Sequence, residues 1–382
     1  MSFFAFVFCL WFDDVIGAEV RIKTVNEFAN FKNNVNKGTT YEGTTVFLDS
    51  DIDFTGKIFE PIGKDWYNYF LGVFDGQGHV ISNLKMSTSS QYVGLFGYSG
   101  GLTIKNVILD SSCSITSSYS SDSAHVGGII GYCYTSNGPC TFENNVNIGS
   151  VTFSGNIRYS LWLGGIAGDL DSDDYDSTVK NCANYGDVTY AGTSYYSYIG
   201  GIVGESYGYS SDRVYIYNCI NYGTISYKGT TSNNLNLGGI VGRTLYTTIE
   251  NCVSGGKISS KKSSNIGSIV GYVYSSTSIN NCYYTSELSG YTRHSGSFSY
   301  DSTAFQLSET VSIGSYTGNS LIDALNSASD YYTLRDYSLW LLNKNNKDVT
   351  FTINIGTSFV LNSQIILLPS LAREGNMSFD VW

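Results

Sequence analysis

Between about residues 93 and 285, the chain repeats one pattern of apolar and polar positions six times. Each copy begins with a short segment in which apolar residues lie between glycines, and the six segments are Gly94–Gly97, Gly127–Gly131, Gly164–Gly168, Gly200–Gly204, Gly238–Gly242 and Gly267–Gly271. An apolar–polar–Asn segment such as Ile216–Asn218 and a short alternating strand such as Gly223–Tyr227 follow. Such a repeat predicts a solenoid, in which each unit buries its apolar side against its neighbours.

The repeat length indicates how the coils are built. The last glycines of successive segments are 34, 37, 36, 38 and 29 residues apart. Three strand segments in each unit predict a three-sided coil whose turns absorb the differences in length. Seven or eight coils would form a rod roughly 35 Å long at the strand spacing of ~4.8 Å. We therefore predict an all-β fold, a parallel right-handed β-helix over residues 44–290, with binding expected at the variable turns.

Strand alternation predicts which apolar residues face the interior. Two columns should lie inside: Val93, Val126, Leu163, Ile199, Leu237 and Ile266, and then Leu95, Ile129, Ile166, Ile202, Ile240 and Ile269. By the same parity the next column should face outward unless a glycine bulge turns it: Phe96, Ile130, Ala167, Val203, Val241 and Val270. An exposed apolar stripe would need a cover, and the C-terminal tail with Trp340 and Leu341 is the candidate.

The two ends of the repeat region differ from its middle. Thr24–Glu27 fits a helix capping box, and the apolar residues after it recur with helical spacing. This predicts a capping helix within residues 19–43 that covers the first coil and its unpaired strand edge. The repeat dissolves after residue 290, and residues 291–382 are expected to form a small α+β cap region or a separate β module.

Composition and charge narrow the cellular context. The net charge of -11 argues against nucleic acid as a partner, because phosphates would be repelled. Residues 3–12 are almost wholly apolar and a small residue, Ala18, follows, which predicts a secretory signal peptide over residues 1–18. No other run reaches the ~18 apolar residues that a membrane span needs. The expected location is therefore secreted or cell-surface, with no transmembrane segment.

Two groups of polar residues are predicted to stabilise the coil. Cys133 and Cys140 flank a turn that could bring them together as a disulfide. One asparagine recurs at the same position of every repeat and should stack at one corner, with side-chain amides bonded from coil to coil; these residues are Asn106, Asn144, Asn181, Asn218, Asn251 and Asn281. Four cysteines that follow these asparagines should form a column of buried thiols: Cys182, Cys219, Cys252 and Cys282.

The order of these segments resembles a known family. The repeat is similar to the GLUG-motif repeat of β-solenoid surface proteins in three segments that follow one another: Gly-Gly-Ile-Val-Gly, then Asn-Cys, then Asn-Tyr-Gly. The lead-in segments Pro61–Gly63, Phe74–His79 and Val93–Gly97 also resemble that family. The resemblance covers about residues 44–285. It implies a secreted or surface-displayed, adhesin-like module without a known catalytic site.

Tyrosine provides the predicted binding surface. The chain has 32 tyrosines, and five crowd two successive variable turns: Tyr195, Tyr196, Tyr198, Tyr207 and Tyr209. Exposed tyrosine rings combine apolar area with a polar tip and suit recognition of a host or cell-surface glycan or protein.

The sequence leaves two other functions open. A polysaccharide-degrading β-helix enzyme needs paired carboxylates, which Asp169, Asp171, Asp173 and Asp187 could supply. A purely structural surface stalk is the third alternative. No Ser, His and Asp grouping stands out, so no catalytic residue, cofactor or metal site is predicted. The acidic segment 169–176 stays a weak calcium candidate, because it lacks the glycine and glutamate of the helix-loop-helix pattern.

Overall fold

A computed structural model describes residues 17–262, 265–280 and 282–285, together with five short strands between residues 293 and 318. Within this part of the chain there is one helix, α1 (Val25–Val35), and every other regular element is a β-strand. The all-β prediction is therefore confirmed.

The strands are short, and the first half of the solenoid contains twenty-one of them. In chain order they are β1 Ala18–Ile22, β2 Thr44–Leu48, β3 Ile52–Asp53, β4 Val73–Asp75, β5 Val80–Ser82, β6 Lys85–Thr88, β7 Tyr92–Val93, β8 Phe96–Ser99, β9 Leu102–Lys105, β10 Ile108–Leu109, β11 Ser114–Ser117, β12 Ala124–Val126, β13 Ile130–Tyr134, β14 Cys140–Glu143, β15 Val146–Asn147, β16 Ser150–Phe153, β17 Ser160–Gly164, β18 Ala167–Ser172, β19 Ser177–Lys180, β20 Ala183–Asn184 and β21 Val188–Tyr190.

The second half continues the same succession. Its strands are β22 Thr193–Ser194, β23 Tyr196–Gly200, β24 Val203–Gly208, β25 Val214–Tyr217, β26 Ile220–Asn221, β27 Ile225–Tyr227, β28 Thr230–Thr231, β29 Leu235–Gly238, β30 Val241–Leu245, β31 Thr247–Glu250, β32 Val253–Ser254, β33 Ile258–Ser260, β34 Asn265–Gly267, β35 Val270–Ser275, β36 Thr277–Asn280, β37 Tyr283–Thr285, β38 Arg293–His294, β39 Phe298–Tyr300, β40 Phe305–Leu307, β41 Val311–Ile313 and β42 Tyr316–Gly318.

Except for the separate pairs β22–β28 and β41–β42, these strands stack into five parallel sheets that run along the rod. The first sheet runs β1-β2-β4-β9-β14-β19-β25-β31-β36-β39, and the second runs β3-β5-β10-β15-β20-β26-β32-β37-β40. The third runs β6-β11-β16-β21-β27-β33, the fourth β7-β12-β17-β23-β29-β34, and the fifth β8-β13-β18-β24-β30-β35-β38. One repeat, such as β17 to β21, therefore contributes one strand to each sheet. The coil has five short strands, and the expected three were too few.

The register explains the glycine spacing of the sequence. In the fifth sheet Ile130 pairs with Phe96 and with Ala167, and Val241 pairs with Val203 and with Val270. The separations of these partners equal the distances between successive glycine segments. Each coil therefore repeats by stacking in register, and the extra residues of longer repeats lie in the turns.

The interior corrects one expectation about side-chain direction. The column that includes Phe96, Ile130 and Val203 was expected to face outward, but these side chains are fully buried. At the glycine turn between the fourth and fifth sheets, two successive apolar side chains such as Ile202 and Val203 both lie in the core, so strict inward–outward alternation is interrupted there. No cover by the tail is needed there, and Trp340 and Leu341 lie outside the described residues.

The N-terminal helix closes one end of this core. Thr24 Oγ1 accepts a hydrogen bond from the Glu27 backbone N–H, and the Glu27 carboxylate accepts one from the Thr24 N–H, which completes the capping box. Phe28 packs edge-on against Phe54 at 5.3 Å between ring centroids, and Phe31 packs against Phe70 at 5.4 Å. The helix thus covers the apolar end of the first coil.

The chain ends lie largely outside the described part. Residues 1–16 of the predicted signal peptide are outside it, as is most of the predicted cap region 291–382. In the residues that the structure describes, no helix combines the length and hydropathy that a membrane crossing requires.

Candidate functional site: a concave corner between two sheets

The glycine turn between the fourth and fifth sheets brings their outward side chains together. The fourth sheet presents Tyr92, His125, Trp162, Tyr198, Asn236 and Asn265, one from each coil. The fifth sheet presents Tyr98, Tyr132, Asp169, Glu205, Arg243 and Tyr272. Side chains of the two columns touch, so this face is concave. We call it the concave corner.

The corner begins with a cluster of aromatic rings. Tyr92 packs edge-on against Tyr98 at 5.3 Å and stacks on Tyr132 at 5.8 Å. Tyr69 packs against Tyr98 at 5.9 Å. Because these rings lie mostly against each other, their faces are largely occupied, and they stabilise the stack of coils.

The middle of the corner holds ionisable groups that are removed from water. His125 stacks on Trp162 at 4.2 Å, and its Nδ1 lies 3.1 Å from Asp169 Oδ2. Burial lowers the pKa of His125 to about 3 and raises the pKa of Asp169 to about 8. The imidazole is therefore neutral and the carboxyl mostly protonated near neutral pH, so the contact is not an ion pair.

Glu205 continues this buried row. Its Oε2 accepts a hydrogen bond from Trp162 Nε1, and its Oε1 lies 2.9 Å from Arg243 Nη1. Burial raises the pKa of Glu205 to about 7, and Arg243 opposes that shift. The Arg243 guanidinium lies 5.0 Å from the Tyr198 ring centroid and 5.1 Å from that of Tyr274, close enough for cation–π attraction to both.

The outer wall of the corner is both acidic and tyrosine-rich. Tyr132 Oη donates to Asp171 Oδ2 at 3.2 Å, and Tyr134 Oη donates to Asp173 Oδ2 at 2.6 Å. Burial, reinforced by the nearby Asp169, raises the pKa of Asp171 to about 7. Asp169 and Asp171 lie on strand β18, so only the last part of the acidic segment 169–176 is a turn.

The predicted binding tyrosines divide between exposed and buried positions. Tyr195 and Tyr209 are 43% and 39% exposed, and Tyr196 and Tyr207 are half-buried. Tyr198 was expected to be exposed, but it is only 7% exposed because Trp162 and Arg243 pack against it.

The tyrosines also lie in a different place from the one expected. Tyr196 and Tyr198 lie on β23, and Tyr207 lies on β24. These are consecutive strands of a single coil, so the expectation that these three tyrosines lie in two variable turns was wrong. The five residues follow the two walls of the concave corner at this coil.

The asparagine column lies at another corner, where the first sheet meets the second. Asn144, Asn181 and Asn218 each donate from Nδ2 to the Oδ1 of the asparagine in the preceding coil, every time at 3.1 Å. Asn106 donates to Asp75 Oδ1 at 2.8 Å and so begins the row. The five described members have positive φ, between 52° and 58°, which asparagine tolerates better than most residues. Asn251 has this same backbone conformation, and Asn281 lies outside the described residues.

We expect Asn218→Leu to lower the free energy of unfolding by about 1–3 kcal/mol, because Asn181 Oδ1 would lose a buried donor. The positive φ of 52° at this position would also add backbone strain for leucine. Urea unfolding followed by circular dichroism measures the change. An unchanged unfolding midpoint would show that the amide row contributes nothing to stability.

A second asparagine row had not been recognised in the sequence. Asn147 Nδ2 donates to Asn184 Oδ1, and Asn184 Nδ2 donates to Asn221 Oδ1, both at 2.9 Å. Each of these asparagines also donates to the carbonyl of the glycine two residues later. The recurring Asn-x-Gly was its sequence signal.

The cysteines occupy two different environments. Cys133 and Cys140 form a disulfide with their Cα atoms 6.3 Å apart. Cys182, Cys219, Cys252 and Cys282 are buried free thiols, and each points its sulfur at a backbone carbonyl of an earlier coil. The column therefore packs as small apolar side chains.

The remaining candidates show how the acidic residues are distributed. Asp169, Asp171 and Asp173 lie together on the concave corner, whereas Asp187 lies on the third-sheet side, where its Oδ1 accepts from the Thr224 N–H. In the part of the chain that the structure describes, no group of three or more His, Cys, Asp or Glu side chains is arranged to hold a metal ion.

Sequence reasoning did not identify His125, Trp162, Glu205 and Arg243 as neighbours. All four occupy repeat positions next to the glycines: His125 and Trp162 come two residues before the first glycine, and Glu205 and Arg243 come directly after the last. These sequence offsets predict that the four residues are neighbours only once the glycine turn is known to form a concave corner.

Comparisons with known proteins agree with this architecture. Residues 233–259 match the family model of the GLUG motif. A crystal structure of a protein from Bacteroides ovatus, described as a "putative immunoglobulin A1 protease", is similar with a TM-score of 0.52 and 24% sequence identity. The similarity covers 73% of this chain and 84% of that chain, and at this identity it concerns the fold alone. No curated protein matches the chain.

Proposed function

Because its sequence and solenoid fit a GLUG-repeat β-helix family, we propose that this protein is a surface or secreted binding module of the adhesin type. Its ligand is a glycan or protein of a host or a neighbouring cell. The recognition surface is the concave corner around Tyr195, Tyr196, Tyr207 and Tyr209, with Tyr198 as a buried support.

Two observations support a location outside the cytosol. The Cys133–Cys140 disulfide is typical of proteins that fold in an oxidising compartment. The apolar N-terminal segment suits a secretory signal peptide.

The exposed aromatic rings carry the proposal. Tyr195 and Tyr209 each leave about two-fifths of their surface in water. They lie at the two ends of the β23–β24 corner, and half-buried Tyr196 and Tyr207 lie further in. Rigid strands therefore present several tyrosines on one face, an arrangement that binds ligands at low entropic cost.

A polysaccharide-degrading enzyme is the second candidate, and the raised pKa values of Asp169, Asp171 and Glu205 favour it. Asp169 and Glu205 occupy partnered positions on adjacent strands. However, these two residues are only 5% and 3% exposed, so a substrate could not reach them without opening the corner. A purely structural stalk would not need exposed tyrosines.

The test is an array of glycans and host proteins probed with the purified protein, with release of reducing sugar assayed on the same glycans. We expect binding to at least one ligand class without release of sugar. Turnover that Asp171→Ala or Asp173→Ala abolishes would favour the enzyme. Absence of any binding or turnover would favour the stalk.

A further inference from the structure

The turns between the third and fourth sheets carry a charge opposite to that of the whole chain. We call them the outer turns, and in five successive coils they are residues 118–123, 154–159, 191–195, 228–234 and 261–262. They contain one acidic residue, Asp122, and four basic residues, Arg158, Lys228, Lys261 and Lys262, whereas the net charge of the chain is -11. The outer turns therefore form a locally positive strip on an acidic protein.

Three of the basic side chains lie at the surface and can meet a ligand. Arg158, Lys228 and Lys261 are exposed, and none of them forms an ion pair with another residue that the structure describes. Lys228 and Lys261 directly follow in-register partners on strands β27 and β33. The two lysines are therefore one strand spacing apart, ~4.8 Å, where like charges repel. An anion between them would remove that repulsion.

The other two charged residues lie at opposite ends of the strip. Lys262 Nζ donates to the carbonyl oxygens of Thr231 and Asn233, so its charge lies against the turn 228–234 and adds to the positive end. Asp122 belongs to the first of the five turns, where its carbonyl oxygen accepts from the Tyr159 N–H at 2.9 Å. The single carboxylate is thus several coils away from the lysines.

Exposed tyrosine rings on the same turns point independently to a sugar ligand. Tyr159 and Tyr195 are 57% and 43% exposed. The Tyr195 N–H donates to the Tyr159 carbonyl oxygen at 2.9 Å, so the two residues are neighbours in adjacent coils. Tyrosine rings offer apolar area on which the C–H face of a sugar ring can pack, together with a hydroxyl that can form hydrogen bonds.

We propose that the outer turns bind an acidic glycan, a chain in which carboxylated sugars recur. This inference rests on the proposed binding function and names the class of its ligand. Sugar rings pack on Tyr159 and Tyr195, and carboxylates pair with Arg158, Lys228 and Lys261.

The separation of the tyrosines from the lysines requires a chain of several sugars. Thr193 and Thr230 pair in register, Tyr195 comes two residues after the first, and Lys228 comes two residues before the second. Four residues of extended chain measure about 13 Å, which is longer than one sugar ring. A single sugar could therefore contact only one end of the strip.

The charge of the whole protein distinguishes this ligand from a nucleic acid. A single-stranded nucleic acid also uses basic and aromatic side chains for binding. However, it carries a phosphate at every nucleotide, and a protein with a net charge of -11 repels such a dense polyanion. A glycan with a carboxylate on alternate sugars carries fewer charges and has sugar faces for both tyrosines.

The test titrates the full-length protein with a hyaluronan octasaccharide, which has a carboxylate on every second sugar, and follows binding by calorimetry. The matched probe is the same octasaccharide with its carboxylates reduced to alcohols. Sialyllactose tests a single carboxylated sugar, and an eight-nucleotide oligothymidylate tests nucleic acid. We expect hyaluronan to bind at least about tenfold more tightly than each of these, and binding to weaken about tenfold as salt is raised from about 50 to about 500 mM.

Variants locate the site on the outer turns. The double variant Lys228→Gln with Lys261→Gln and the single variant Tyr159→Ala should each bind hyaluronan about fivefold or more weakly, with unchanged melting temperatures. The matched control, Lys37→Gln with Lys57→Gln, removes two exposed lysines near the N-terminal end and should change binding less than about twofold.

Four results would overturn the assignment: no binding of hyaluronan, equal binding of the carboxyl-reduced octasaccharide, tighter binding of sialyllactose or the oligonucleotide, or equal losses in the two double lysine variants. The array result is independent. A ligand of another class found there while hyaluronan fails to bind would leave the proposed function intact and refute this site.

Discussion

Replacing Gly201 with alanine should strongly destabilise the solenoid. The new Cβ would overlap the Gly239 carbonyl oxygen and the side chain of Asn221. Gly239 is backbone of the next coil, and Asn221 is fixed by its bond from Asn184. Neither can retreat without separating stacked strands, so we expect a loss of about 3 kcal/mol or more.

A second glycine provides the control. A Cβ on Gly138 would meet nothing within 4 Å, so Gly138→Ala should leave stability unchanged to within about 0.5 kcal/mol. Urea unfolding of both variants measures the difference. If Gly201→Ala unfolds at the same urea concentration as the original protein, the glycine turn is not a close-packed corner.

Stability should fall as pH rises from about 5 to about 8, by on the order of 3 kcal/mol. Burial raises the pKa of Asp169 to about 8 and the pKa values of Asp171 and Glu205 to about 7. In the unfolded chain these carboxyls titrate near pH 4. Between the two limits the folded state holds more protons, so raising the pH favours unfolding.

His125 acts in the opposite direction but contributes less. Its pKa is lowered to about 3, so below about pH 6.5 the unfolded chain binds one extra proton. Between about pH 5 and 6.5, the loss of stability caused by the three carboxyls exceeds the gain caused by the one imidazole. Above that range only the carboxyls change the stability. Arg243 stays charged throughout and moderates the effect at Glu205.

The variant Asp169→Asn should flatten this profile and raise stability at pH 8, since it keeps the side-chain shape without the ionisation. Exposed Asp122 provides the control, and Asp122→Asn should leave the slope unchanged. Thermal unfolding at a series of pH values measures both. Stability that is constant or that increases from pH 5 to 8 would mean that these carboxyls are hydrated.

Much of the fold was predictable because each coil stacks in register on the one before it. The separation between glycine segments equals the separation of strand partners in the fifth sheet, as for Ala167 and Val203. The capping box at Thr24 and Glu27 was equally clear, since it depends on local spacing alone.

The candidate site was less predictable, because alternation fails at the glycine turn. The prediction placed Ile202 inside and therefore turned its neighbour Val203 outward, whereas both side chains are buried. That error concealed the concave corner, whose members come from different coils. His125 and Asp169 are 44 residues apart in sequence but 3.1 Å apart in space.

The most direct test of the proposed function measures the dissociation constant for a ligand found on the array. The compared proteins are the original, the double variant Tyr195→Ala with Tyr209→Ala, and the control Tyr67→Ala, whose ring is 76% exposed on a turn near the N-terminal end. We predict that the double variant binds about tenfold or more weakly, with an unchanged melting temperature, and that the control binds normally. Normal binding by a folded double variant would contradict the assignment of the tyrosine corner as the recognition surface.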